Sequence, residues 1–248
     1  MTVVIDAGNS RIKWARCRNG KLERSEHAAW NDADLWQRLA DAVAGCERVV
    51  AANVAGPDKA EQIAAVVAAA GAELEWVVAR SEAYGLTSAY ADAGSLGADR
   101  WCALIGARRD ADGDVCVIGA GTAVTFDAVT AEGRHLGGLI LPGERLMLDA
   151  LASNTKLIGR YDPVADWSEV EELLGRSTQQ AVTHGAALAV GAALDRAIEF
   201  VAATLGRRPA VVVGGGAAAS IAAKLASTAA VRADLVLEGL AFIADETS

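Results

Sequence analysis

The feature that most constrains the fold is a repeat. Residues 3–13 read Val-Val-Ile-Asp-Ala-Gly-Asn-Ser-Arg-Ile-Lys, and residues 116–126, 113 positions later, read Cys-Val-Ile-Gly-Ala-Gly-Thr-Ala-Val-Thr-Phe. Aligned without a gap over 4–20, the copies share six of 17 positions: Val4/Val117, Ile5/Ile118, Ala7/Ala120, Gly8/Gly121, Ala15/Ala128 and Gly20/Gly133. Each copy opens as an apolar strand, turns on glycine and runs on as a second strand, a hairpin signal. The first corner, Asp6-Ala7-Gly8-Asn9, aims a carboxylate and several backbone N–H groups at one point. Such N–H groups suit phosphate oxygens, and the carboxylate suits Mg²⁺ or its waters. A period this long does not fit a solenoid unit. It predicts two domains of one fold, residues 1–113 and 114–248.

Two such domains facing each other across a cleft, each lending a loop to a nucleotide's phosphates, resemble the actin/Hsp70/sugar-kinase ATPase superfamily. The resemblance implies an α/β chain of two ribonuclease-H-like (actin-like ATPase) domains, each a mixed sheet of the βββαβα type flanked by helices. The local patterns agree. Residues 2–7, 10–18 and 21–28 read as antiparallel strands. Leu35, Leu39 and Val43, at spacing four, mark one face of a helix over about 32–44. A strand at 49–54, a helix from Pro57 to about Ala70 and a strand at 74–78 follow. Residues 81–97 read as a loop, and a helix runs from there to about Arg109. The second half repeats the order: strands at 115–119, 122–130 and 135–141, then a helix at 144–153. A looser segment with a short helix near 168–174, a long helix at 177–205 and a strand at 211–213 come next. Gly214-Gly215-Gly216, a short strand at 229–231 and a helix at 234–245 close the chain.

Composition narrows the class. In 248 residues, no apolar run approaches a membrane span, and the chain opens directly on a strand with no secretory signal. A cytoplasmic protein is expected. The four cysteines and three histidines are scattered without a CxxC pair, so buried free thiols are expected rather than a zinc site or disulfides. A net charge of −9 argues against nucleic acid as a partner. The basic run from Arg11 to Arg24 reads mostly as solvated strand edges, with Lys13 within reach of phosphates.

Asp99-Arg100 is the second informative pair. An Asp at a helix start is ordinarily an N-cap. Its functional reading is a base that takes the proton of a substrate hydroxyl attacking a γ-phosphate, with Arg100 binding a substrate carboxylate.

Together with spaced motifs, this pair resembles the type III pantothenate kinases over nearly the whole chain. The motifs are Asp6-x-Gly8-Asn9, Tyr90 seven residues before Gly97-x-Asp99-Arg100, Gly121-Thr122-Ala123, Gly137-Gly138 with Pro142-Gly143, and Ser177-Thr178. The resemblance implies ATP-dependent phosphorylation of pantothenate, the first step of coenzyme A synthesis, by a homodimer. It implies Asp99 as catalytic base and Asp6 as the carboxylate near Mg²⁺. Asp6, Gly8, Asn9, Ser10 and Lys13 become the first ATP-phosphate corner, and Thr122 its counterpart. Tyr90, Gly97, Ala98, Asp99, Arg100 and Thr178 become pantothenate contacts, Thr178 reaching from the other subunit. Gly214–Gly216 is expected to lie under the adenosine.

Two positions depart from the family pattern. Gly119 stands where many members carry an Asp that helps hold K⁺ or NH₄⁺, which puts a monovalent-cation site in doubt, and Asp127 lies too far along the next strand to take over. Ala93 stands where members often carry Pro. Two other readings of the fold are a regulatory protein that binds without turnover, which the presence of both Asp6 and Asp99 disfavours, and a kinase with a different acceptor.

Overall fold

The computed structural model describes residues 1–247. In the first half, β1 (Thr2–Ala7) and β2 (Arg11–Arg18) form an antiparallel hairpin, and β3 (Lys21–Leu22) and β4 (Glu26–Ala29) both pair with β2. The single third strand expected over 21–28 is thus split. Cys17 faces Leu22 but Trp14 faces Glu26, so residues 23–25 oppose only Ala15 and Arg16. That extra residue is a bulge, which bends the strand and interrupts its ladder.

Helix α1 (Leu35–Val43) buries Leu35, Leu39 and Val43, the face that the spacing predicts. β5 (Arg48–Asn53), α2 (Pro57–Ala69) and β6 (Glu73–Trp76) follow, with β1, β5 and β6 parallel. Alternation along β1 sends Val3, Ile5 and Ala7 into a core with α1 and α2, so Val4 and Asp6 point to the opposite face. Within the expected loop 81–97 lies a small hairpin, β7 (Glu82–Ala83) and β8 (Leu86–Thr87). Its two turn residues, Tyr84 and Gly85, both have positive φ, as a type I′ turn requires. Helix α3 (Ala98–Arg109) follows.

The second half contains β9 (Val115–Ala120), β10 (Ala123–Val129), β11 (His135–Pro142), α4 (Glu144–Asn154), α5 (Thr178–Leu205), β12 (Ala210–Gly214), α6 (Ala218–Ala222), β13 (Ala230–Arg232) and α7 (Leu235–Glu246). The helix expected near 168–174 is reduced to one 3₁₀ turn at Trp167–Glu169, held by the Asp166 side chain on Ser168 N–H.

The two sheets share one topology. Their orders are β3-β2-β1-β5-β6 and β11-β10-β9-β12-β13, in each case third, second, first, fourth, fifth, with the first, fourth and fifth strands parallel. The repeat in the sequence is a repeat of architecture, with one adjustment. Ala7 pairs with Ile12 across four turn residues, whereas Ala120 pairs with Val124 across three. The second hairpin is one residue shorter, so Asp127 is the structural counterpart of Ala15, and the Ala15/Ala128 identity is coincidental.

Compactness divides the chain into two units that are not a single cut at residue 113. The first comprises 1–110, 132–135 and 234–247; the second comprises 111–131 and 136–233. In the first unit, α7 packs against α3 and the sheet rather than staying with the strands that precede it. Glycines allow that approach: a Cβ on Gly106 would lie 2.6 Å from Leu235 O and 3.0 Å from Gly239 N. The core of the second unit gathers Ile118, Phe126, Val190, Leu194 and Val213 between its sheet and α5.

Candidate active site

The C-terminal end of β1 delivers Asp6 to the face covered by α3 and α7. Both helices finish near the Gly20 turn: Arg109 Nη1 donates to Gly20 O at 3.2 Å, and Asp245 lies beside Gly20. They therefore begin toward the opposite end of β1, where α3 brings Asp99 and α7 brings Asp234. Asp6 keeps some accessible surface, yet it is packed deeply enough that burial, followed by the charge of Asp99, pushes its carboxyl up to about 7; Lys13 opposes this and Asp234 adds to it. Cys102, one turn along α3, is raised well above an ordinary thiol by burial and by the same two carboxylates, Asp6 and Asp99. The two acids singled out in the sequence therefore share one electrostatic environment.

The corner itself is braced from outside the motif. Gly8 N–H closes on Arg11 O at 3.1 Å, and Trp30 Nε1 donates to Gly8 O at 2.9 Å. Asn9 and Ser10 are exposed on the turn. Lys13 faces Asp6 in the strand register, and its Nζ forms an ion pair with Asp234 at 3.1 Å.

At the start of α3, Gly97 occupies the N-cap position and Asp99 lies in the first turn, so Asp99 is not the cap. Its Oδ1 accepts from Arg100 N–H at 2.8 Å. Gly97 also makes room for this carboxylate, since a Cβ there would sit 2.6 Å from Asp99 Oδ1. Arg100 is 6% exposed, donates from Nη1 to Tyr90 Oη at 2.9 Å and lies over the Tyr90 ring. Tyr90 stacks on His135, ring centroids 6.0 Å apart. His135 comes from the 132–135 segment, whose Gly133 O accepts from Thr87 N–H at 2.9 Å. Tyr90 and Arg100 thus meet in the fold, with Asp99 beside Arg100 in the first turn of α3. Trp30, His135 and Asp234 were not anticipated, because tertiary packing recruits each from a distant element.

The second unit, taken alone, holds Thr122 at the tip of the β9–β10 turn. Gly143 N–H donates to Thr122 O at 3.1 Å, and a Cβ on Gly143 would come within 2.5 Å of that oxygen, which explains Pro142-Gly143 as the brace of this turn. Gly119 and Thr125 are the register counterparts of Asp6 and Lys13. The Thr125 hydroxyl fills the space a side chain at 119 would need. Gly215, expected beneath a base, has φ +96° and packs its Cα face against Ala120 backbone, a reason for glycine that needs no ligand. Thr178 is the first residue of α5 and is exposed; Ser177 is the cap, its Oγ accepting from Gln180 N–H at 3.2 Å. Among the described residues, all four cysteines are buried and free, and no helix is long and apolar enough to cross a membrane.

The sequence profile of the type III pantothenate kinases matches residues 2–200. The chain belongs to the type III pantothenate kinase family. Relatives carrying that name include those of Aromatoleum aromaticum (39% identical over 252 residues, covering 99% of this chain and 98% of the relative) and Chromobacterium violaceum (38% over 253 residues, 99% and 100%). Solved structures agree on the fold. One is assigned as a Baf-family transcriptional activator from Campylobacter jejuni (TM-score 0.60, 19% identity, 99% of this chain and 98% of that one). Another is assigned as a 2-dehydro-3-deoxygalactonokinase from Sinorhizobium meliloti (TM-score 0.60, 15% identity, 100% and 99%). At these identities the likeness is one of fold, and the α/β architecture of this chain is of the actin-like ATPase and sugar-kinase type.

Proposed function

We infer that the chain transfers the γ-phosphoryl group of ATP to the hydroxyl of pantothenate, giving 4′-phosphopantothenate, the first step of coenzyme A synthesis. The observation that carries the assignment of roles is the convergence of Asp6 and Asp99 in a member of this family. Asp99 accepts the proton as the pantothenate oxygen attacks phosphorus. The transition state for such transfer is loose, so the base chiefly orients the hydroxyl, while positioning and charge stabilisation supply most of the rate. Gly8, Asn9, Ser10 and Lys13 cradle phosphate oxygens, and Thr122 is the matching contact of the second unit. Gly97, Ala98, Arg100 and Tyr90 hold pantothenate. Arg100, already fixed by Tyr90, is suited to a carboxylate, and Thr178 adds a contact from α5.

Among the described residues, no cluster of three His, Cys, Asp or Glu side chains forms a metal cage. Mg²⁺ carried by a nucleotide is ordinarily held by one or two carboxylates plus substrate phosphates. Asp6 is the carboxylate for it. When bound, Mg²⁺ supplies positive charge against the phosphate oxygens. Gly119 offers no side-chain oxygen to K⁺ or NH₄⁺. The homodimer is supported by an apolar groove of about 530 Å³ on the second unit, lined by Phe126, Leu136, Leu139, Ala197 and Phe200.

The test is ADP release by purified protein with Mg·ATP, with and without pantothenate, at several K⁺ concentrations, for wild type and Asp99→Asn. ADP release is expected only with pantothenate, without a rise on adding K⁺. Asp99→Asn should keep the fold and lose roughly 10²-fold or more in turnover. No pantothenate-dependent release from folded dimer would sink the reaction, and near-wild-type Asp99→Asn would reduce Asp99 to a first-turn acid.

A further inference from the structure

Asp234 belongs to no motif, and the reaction assigns it no task. It precedes α7, where an Asp usually caps the helix, yet its side chain makes no capping hydrogen bond. Both carboxylate oxygens are turned elsewhere. Oδ1 accepts from Lys13 Nζ at 3.1 Å, and Oδ2 accepts from Ser25 Oγ at 2.6 Å. The three residues span 209 to 221 positions of sequence, so only the docking of α7 on the first sheet unites them. Lys13 is the cross-strand partner of Asp6, and its side chain is only 14% exposed. A lysine is a flexible point charge. Beside Asp6 alone, its ammonium would settle on that carboxylate. A second carboxylate, held by Ser25, gives it a defined partner besides Asp6. The pairing also neutralises Asp234, an acid that would otherwise repel a polyphosphate at this corner.

We propose that Asp234 is a positioning residue for Lys13, seating its ammonium at the β1–β2 corner so that incoming ATP phosphates meet a lysine already in place while the Asp6 carboxylate stays available to the metal. This rests on the reading of residues 6–13 as the phosphate corner. The effect belongs to nucleotide binding and leaves pantothenate binding alone.

The experiment measures kcat, both KM values and thermal stability for Asp234→Asn, Lys13→Met, the double variant and Ser25→Ala. Asp234→Asn is expected to raise KM for Mg·ATP about tenfold, the scale of one charged hydrogen bond, with KM for pantothenate and melting temperature unchanged. Ser25→Ala, which loosens the carboxylate but keeps its charge, should give a smaller loss of the same kind. The double variant should be no worse than Lys13→Met, because the two residues act as one. Additive losses overturn the proposal and leave the phosphate corner standing. A Lys13→Met enzyme with wild-type kinetics removes the corner reading itself. A loss in Asp234→Asn that excess Mg²⁺ restores makes Asp234 a metal group, and a general loss of stability with both KM values raised makes it merely structural; either overturns the proposal.

Discussion

Asp6 carries a titration that can be read without any substrate. In the folded chain its carboxyl is raised to about 7 from an ordinary 3.8, chiefly by burial and then by Asp99. The native state therefore binds this proton more tightly than the unfolded chain. The resulting stability is present below about pH 3.8 and is lost as pH rises to about 7. Asp6→Asn keeps a neutral side chain throughout. Its melting temperature relative to wild type, without nucleotide or Mg²⁺, should climb across that window and level off above it; a difference flat with pH would mean that Asp6 titrates normally. Asp6, Gly8, Asp99 and Arg100 were legible in the sequence because local patterns mark them: the end of an apolar strand, its turn, and the start of a helix. The ordinary alternative for Asp99, a helix cap, does not hold, since Gly97 takes that position. His135, Trp30 and Asp234 were illegible because each is defined by a partner far away in the chain, and no periodicity encodes such a meeting.

Among the elements, the pairing of α3 with α7 decides where Asp99 and Asp234 stand. Two glycines let the helices approach until Gly106 lies against the Leu235 carbonyl. Gly106→Val should destabilise the chain by about 1–3 kcal/mol, the usual cost of overpacking, as read by urea unfolding. Gly185→Ala on α5, where an added Cβ meets nothing within 4 Å, is the control and should be neutral or slightly stabilising. A Gly106→Val chain as stable as wild type would show that the contact is loose. Most strand and helix identities followed from period and turn chemistry; the small hairpin at 82–87 and the reduction of the helix near 168–174 to one turn did not. Lengths and registers did not: the bulge at 23–25 and the shorter second hairpin each turn on one residue, which hydrophobic pattern does not resolve.

At the scale of the whole molecule, the repeated architecture was legible because two copies of one corner at wide spacing leave few alternatives. The membership of α7 was not, since chain order suggests the second unit and packing gives it to the first. The groove on the second unit carries the prediction for assembly. Phe200, 67% exposed, should lie in the interface, so Phe200→Glu should convert a dimer into a folded monomer in light-scattering chromatography. A monomeric wild type would refute this. The late arrival of α7 also bears on synthesis. At ordinary translation rates it leaves the ribosome on the order of ten seconds after α3. During that interval the face of the first sheet that carries Val4 and Asp6 lacks one of its two covering helices. The nascent chain must hold an unfinished first half in solution while the second is made, and that waiting period is where a chaperone would find its client.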